Sequence, residues 1–193
     1  MTKNQKFKIG ICSPINVRNF SKYLEIENPD YLNLGIGEDA VNRLITGLLE
    51  SGSQIEVFTL DTKVTEPLTI NGDNIVIHIF PLREKNKALD IFKKEISYLE
   101  EAINKSDINI IHAHWTYEYA IAAIKSNKPH VITVRDYAIK VLINHKDKIY
   151  RLLRYFMNEY VLVNSSNLIA NSLYIKEYLD KNSIGILMLY LIL

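Results

Sequence analysis

Short apolar runs alternate along this chain with longer amphipathic segments, and that alternation restricts the possible architectures more than any other feature. Lys8–Cys12 (KIGIC), Ile55–Leu60 (IEVFTL), Ile75–Phe80 (IVIHIF), Asn109–His112, His130–Val134 and Asn167–Ala170 read as strands. Ala40, Val41, Leu44, Ile45, Leu48 and Leu49 form one helical stripe that opens after Gly35 and Gly37 and stops at Gly52. Leu89, Phe92, Ile96, Leu99 and Ile103 predict a helix over 86–104, and further helical patterns occupy 117–126, 138–163 and 173–180. Most of the strands are apolar on both faces, so helices must cover both sides of the sheet. The expected fold is α/β: a Rossmann-like, doubly wound parallel sheet.

Two stretches have no period. Residues 13–36 read as a long loop, of the kind that usually carries function. Residues 61–74 read as a polar connection with Pro67 and a turn at Asn71-Gly72.

At 193 residues the chain holds one sizeable core rather than two average domains. A formal net charge of +1 provides no global attraction for nucleic acid, so no nucleic-acid partner is expected. The single cysteine, Cys12, lies in an apolar run, and the first residues (MTKNQKFKIGIC) contain no apolar stretch of signal-peptide length. Both features fit a cytoplasmic location. The last residues, Ile184–Leu193, are almost all apolar, yet about ten residues are too few to cross a bilayer as a helix.

Ligands of open α/β sheets sit outside the carboxyl ends of the strands, near the point where strand order reverses. The residues just after the strands therefore carry most weight: Ser13–Asn19 with Asn16, Asp61, Pro81–Arg83, His112–Tyr117, Arg135–Tyr137 and Asn171–Ser172. His112 and His114 stand at i and i+2 on a strand and share a face. With no matched third ligand they make a poor zinc site, so no metal is expected. Histidine beside Trp115 and Tyr117 suits a hydroxyl-rich ligand, because imidazole hydrogen-bonds and aromatic faces stack on sugar rings. A satisfied strand-end histidine next to a core tryptophan is the competing reading. Arg135 can clamp an anion with its planar fork, or simply pair with Asp136.

Gly35-Ile36-Gly37-Glu38-Asp39-Ala40 precedes a helix whose N-terminal amides favour anionic oxygens. With Asp61 ending the next strand, it also matches a dinucleotide-binding fingerprint loosely. That fingerprint needs its glycines directly after the first strand, and here more than twenty residues intervene.

The segment GIGEDAVNRLITGLLESGSQIEVFTLD resembles the glycine-containing turn, helix and V-x-V strand of retaining GT-B glycosyltransferases of the family 4 type. INIIHAHWTYEYAIAAIKSNKPHVITVRD and NLIANSLYIKEYL are similar to two further blocks of that family, in the same order, so the resemblance covers roughly residues 7–182. It implies two Rossmann-like domains with the active site between them. This chain would be the N-terminal, acceptor-side domain (1–182), and the second domain would hold the nucleotide-sugar donor without metal or organic cofactor.

Carried over by position, His114 is the catalytic-site histidine near the transferred sugar, and Gly35 and Gly37 approach the donor phosphates. Asn16, Trp115, Tyr117, Arg135 and Asp136 are expected to contact acceptor or sugar. Arg135 departs from the family, which commonly has histidine before the aspartate. The donor domain is not represented in these residues, so 183–193 reads as an apolar tail left by truncation or frameshift, and the chain is expected to be inactive alone. Partners implied are a nucleotide sugar, a lipid-linked or polysaccharide acceptor, and a separate donor-domain chain. A Rossmann nucleotide-binding module of oxidoreductase type and a non-catalytic acceptor-domain subunit stay open beside the enzyme. The basic, aromatic segment 140–160 has two readings: a cover for the sheet, or a weak contact with the inner face of an anionic membrane.

Overall fold

The computed structural model describes residues 7–37 and 39–181. Glu38 and the proposed tail 183–193 lie outside them. The elements in chain order are β1 (Lys8–Cys12), α1 (Asp39–Glu50), β2 (Gln54–Asp61), β3 (Leu68–Asn71), β4 (Ile75–Pro81), α2 (Lys93–Lys105) and β5 (Ile110–His114). They continue with α3 (Glu118–Lys125), β6 (His130–Val134), α4 (Ala138–Asn144), α5 (Lys148–Asn164), β7 (Leu168–Ala170) and α6 (Leu173–Lys181).

The seven strands form one sheet in the order β3-β4-β2-β1-β5-β6-β7. Every neighbouring pair is parallel except β3 with β4. The chain leaves β1 toward β2 and β4, then returns to β1's other side as β5, β6 and β7. The strand order therefore reverses between β1 and β5, which sets the crevice at their carboxyl ends.

Alternate residues of each strand enter opposite layers. Ile11, Val57 and Ile77 meet Val41, Ile45 and Leu49 of α1, with Val17 and Phe20 closing the same layer. Cys12, Phe58, Ile111 and Ile132 meet Ile96 and Leu99 of α2, Ala120 of α3, Val161 of α5 and Leu179 of α6. Each fully buried large aliphatic side chain contributes about 1.5–3 kcal/mol, so the two layers supply most of the driving force.

Four local expectations are corrected. The loop 13–36 contains two short 3-10 helices, Val17–Tyr23 and Pro29–Asn33, begun by the side chains of Asn16 and Asn28. Single tight turns are too short to leave a period. The polar stretch before Asn71-Gly72 contains β3, an antiparallel edge strand in which Ile70 is the buried residue.

The helix expected over 86–104 starts only at Lys93. Asn86, Ile91 and Phe92 have φ of 62°, 55° and 57°, and Leu89 points to solvent. This irregular turn is held by Arg83, whose guanidinium donates to Asp90 at 2.7 and 3.0 Å and to Glu95 at 2.6 and 2.8 Å. The pairing holds both carboxyls below their usual range, against a burial that opposes it at Glu95. Finally, the long helix over 138–163 is two helices, with His145 in an extended conformation after α4. The Lys148 ammonium caps α4 by donating to the Leu142 and Ile143 carbonyls at 2.9 and 2.6 Å.

Candidate functional site

The rim of the crevice is built first by backbone packing. After β1 the chain runs through Ser13–Asn16, and the Gly35–Gly37 turn lies directly on it. A Cβ on Gly35 would stand 2.0 Å from the Ile15 carbonyl oxygen, and one on Gly37 would stand 2.3 Å from Ile15 Cα. Gly35 also has φ +85°, which L side chains rarely adopt. Its N–H donates to Asp61, and Asp61 accepts a second bond from the Lys63 N–H at 2.7 Å. Asp61 thus staples the glycine turn to the end of β2.

Asn16 belongs to the same packing. Its N–H donates to the Asn42 side chain of α1 at 3.1 Å, and its own side-chain oxygen accepts from the Arg18 N–H at 3.1 Å.

On the other side of the switch point, β5 runs two residues further than expected and carries His114 to its carboxyl end. His114 is 4% exposed, and neither ring nitrogen has a hydrogen-bond partner among the described residues. It borders a cavity of about 190 Å³ with His112, Thr133, Arg135, Ile169 and Asn171, closed over by Ala40 and Leu44 of α1. The His112 ring stacks on His114 with centroids 4.3 Å apart and bonds Thr133 Oγ1 through Nε2 at 2.7 Å.

Burial holds the His112 pKa down to about 4. Burial likewise drives His114 well below the ordinary histidine range, and the repulsion a proton there would meet from Arg135, and from His112 whenever that ring is protonated, adds to it. Both rings are therefore neutral at pH 7. A neutral imidazole offers one N–H and one lone pair, which matches a hydroxyl that both donates and accepts.

The remaining expected residues fall into two groups. Arg135 lines the cavity and lays its guanidinium over the Trp115 ring, 5.5 Å from its centre. Trp115 itself has φ +63°, a strained position for a bulky side chain at a strand end. Tyr117 and Asp136 instead pair with each other, the phenol donating to the carboxylate at 3.0 Å. Tyr117 is buried beneath the Arg154 guanidinium, 3.7 Å from its ring centre, and Arg154 forms an ion pair with Glu118. Arg154, Glu118, Tyr117 and Asp136 form one paired cluster, while His114 and Arg135 line the cavity and Trp115 packs under the Arg135 guanidinium.

Asn171, one of the post-strand residues given weight in the sequence, lines the cavity, and so does Thr133, which had not stood out. The available signal was the two-residue step: Thr133–Arg135 and Ile169–Asn171 repeat the His112–His114 spacing on neighbouring strands. Among the described residues no group of three or more His, Cys, Asp or Glu side chains is arranged to hold a metal ion.

A mostly parallel sheet with this strand order, covered by helices on both faces, defines a Rossmann-like α/β domain. The family Glycosyltransferase Family 4 matches residues 37–184, and the chain belongs to it. An uncharacterized glycosyltransferase of Methanocaldococcus jannaschii is 28% identical over 113 residues, 56% of this chain and 30% of that protein. Sucrose-phosphate synthase from Thermosynechococcus elongatus superimposes with a TM-score of 0.63 at 13% identity, over 96% of this chain and 47% of that one. At that identity the likeness is one of fold. The chain spans less than half the length of either protein.

Proposed function

We propose that this domain is the acceptor-side half of a retaining GT-B glycosyltransferase, which moves a sugar from a nucleotide-sugar donor to a hydroxyl of an acceptor. The observation that carries the reading is His114: a buried, neutral imidazole with no hydrogen-bond partner among the described residues, facing a small polar cavity at the switch point. An unpaired buried polar group costs about 1–3 kcal/mol, a cost that a bound hydroxyl group removes. In this reading His114 hydrogen-bonds a hydroxyl of the transferred sugar, and Arg135 and Trp115 orient it from the rim. Gly37 allows the turn to approach the donor, while the Gly35 N–H is committed to Asp61.

The donor diphosphate is held chiefly by a second domain, on the same polypeptide or on a separate chain. The acceptor is lipid-linked or a polysaccharide, and the transfer takes place in the cytoplasm without metal or organic cofactor. A dinucleotide-binding reading needs an acidic residue at the end of β2 to meet a ribose. Asp61 is 1% exposed and already accepts two backbone N–H groups, which disfavours it.

A thermal-shift panel of nucleotide sugars, nucleoside diphosphates and nicotinamide cofactors tests the assignment, with and without a co-expressed donor domain. Sugar nucleotides are expected to stabilise the paired domains, and His114→Ala to remove turnover while His112→Ala reduces it less. Stabilisation by nicotinamide cofactors alone would overturn the reading. Robust sugar transfer by residues 1–193 on their own would overturn the divided site.

A further inference from the structure

Helix α5 is apolar on two sides, and only one of them faces the core. Met157, Val161 and Leu162 are buried against the sheet layer. Ile149, Leu152, Phe156, Tyr160 and Val163 recur at three- and four-residue spacing on the opposite side, and all are exposed, Ile149 by 89% and Phe156 by 59%. At 1.5 Å per residue the exposed stripe is about 21 Å long. Covering the sheet explains the first side and leaves the second unexplained.

The stripe does not end at the helix. The irregular turn before α2 places Leu89, 83% exposed, and Ile91, 51% exposed, beside it. Two grooves result, of about 670 and 740 Å³, joined through Leu153. One lies between α2 and α5, with Lys93, Lys125, Asp90 and Glu100 at its walls; the other lies between the turn and the start of α5, with Lys146, Lys148 and Asp147 at its walls. Contiguous exposed apolar surface of this kind marks a contact with a protein or a membrane.

Charge selects between them. Arg83, Lys85, Lys87, Lys93 and Lys94 flank the turn, and Lys140, Lys146, Lys148, Arg151 and Arg154 flank or belong to α5. Residues 83–94 and 140–154 thus hold ten basic and three acidic side chains, in a chain with a net charge of only +1. Arg83 is spent on Asp90 and Glu95, Arg151 on Asp147 and Arg154 on Glu118, so the surplus positive charge rests on the seven lysines of these ranges. An apolar stripe edged by lysines complements an interface that is apolar beneath and anionic above.

We infer that α5 and the 86–92 turn form a docking surface for an anionic phospholipid bilayer, with Leu89, Ile149 and Phe156 entering the acyl boundary and the lysines meeting the headgroups. No helix among the described residues is long and apolar enough to cross a membrane, so the contact is peripheral. The same helix carries Arg154, which is paired with Glu118 at the start of α3. The inference concerns binding alone and stands apart from the proposed transfer reaction.

The test is co-sedimentation of the full chain with phosphatidylglycerol-containing and pure phosphatidylcholine vesicles, at about 0.05 M and about 0.5 M salt, where screening differs severalfold. Binding is expected to the anionic vesicles at low salt and to fall about tenfold or more at high salt. Ile149→Ser/Phe156→Ser should weaken it about tenfold or more, and Lys93→Gln/Lys125→Gln/Lys146→Gln should abolish the preference for anionic lipid. All substituted side chains are exposed, and an unchanged thermal melt confirms the fold of each variant. Equal pelleting with both lipids, pelleting that the Ile149/Phe156 variant retains, or no pelleting at all would overturn the inference. So would concentration-dependent dimerisation lost in that variant without vesicle binding, since the stripe would then pair two copies.

Discussion

His112 and His114 stack with ring centroids 4.3 Å apart, yet His112 is anchored to Thr133 and His114 has no hydrogen-bond partner among the described residues. The two histidines share one face of β5 and have opposite roles. His112 fixes the position of its neighbour, and His114 is left with its hydrogen-bonding capacity unspent inside a cavity. That asymmetry separates an anchored ring from an unanchored one.

The first expected consequence is a trade between stability and binding. His114→Leu removes a buried polar ring that has no partner among the described residues while roughly keeping its volume, so urea unfolding should show stability unchanged or raised by about 1 kcal/mol. His112→Ala loses the bond to Thr133 and leaves a gap, and should cost about 1–3 kcal/mol. A large destabilisation by His114→Leu would mean that the ring has a structural partner.

A second consequence is a pH dependence with a defined sign. Both folded-state pKa values lie below the ordinary histidine value of about 6.5, His112 at about 4 and His114 also well below it. The unfolded chain therefore takes up protons first as the pH falls. Stability should be complete above about pH 6.5 and decline as the pH drops from there toward 4. Urea midpoints measured through that range should slope in the native chain and flatten in the His112→Leu/His114→Leu variant. A flat native profile would show that the rings are not buried in neutral form.

The glycines give a third contrast. Gly35→Ala and Gly37→Ala each drive a methyl group into the Ile15 backbone, and Gly35 adds its left-handed φ, so each should cost about 3 kcal/mol or more. Gly47 lies inside α1, where an added methyl group would meet nothing within 4 Å, and should behave oppositely. Gly47→Ala is expected to stabilise by about 1 kcal/mol through helix propensity. Equal effects at the three positions, read from thermal or urea melts, would remove the case for a packed glycine turn.

The sequence alone determined the layers of this protein. Two-residue alternation and helical stripes are consequences of local geometry, so β1, β2, β4, β6 and α1 could be placed from the order of apolar residues. His114, Arg135 and Trp115 were legible as a rim because strand ends in a parallel sheet face the switch point. What local pattern could not decide was anything set by contacts distant in sequence. The Arg83 fork on Asp90 and Glu95 delays α2 to Lys93, and the Lys148 cap separates α4 from α5. Asp61 is turned inward because Gly35, twenty-six residues earlier, takes its oxygen, and Tyr117 is fixed by Asp136 and Arg154. The outward stripe of α5 shows the limit most plainly: sequence displays both apolar sides of that helix, and only packing against the sheet settles which one stays in solvent.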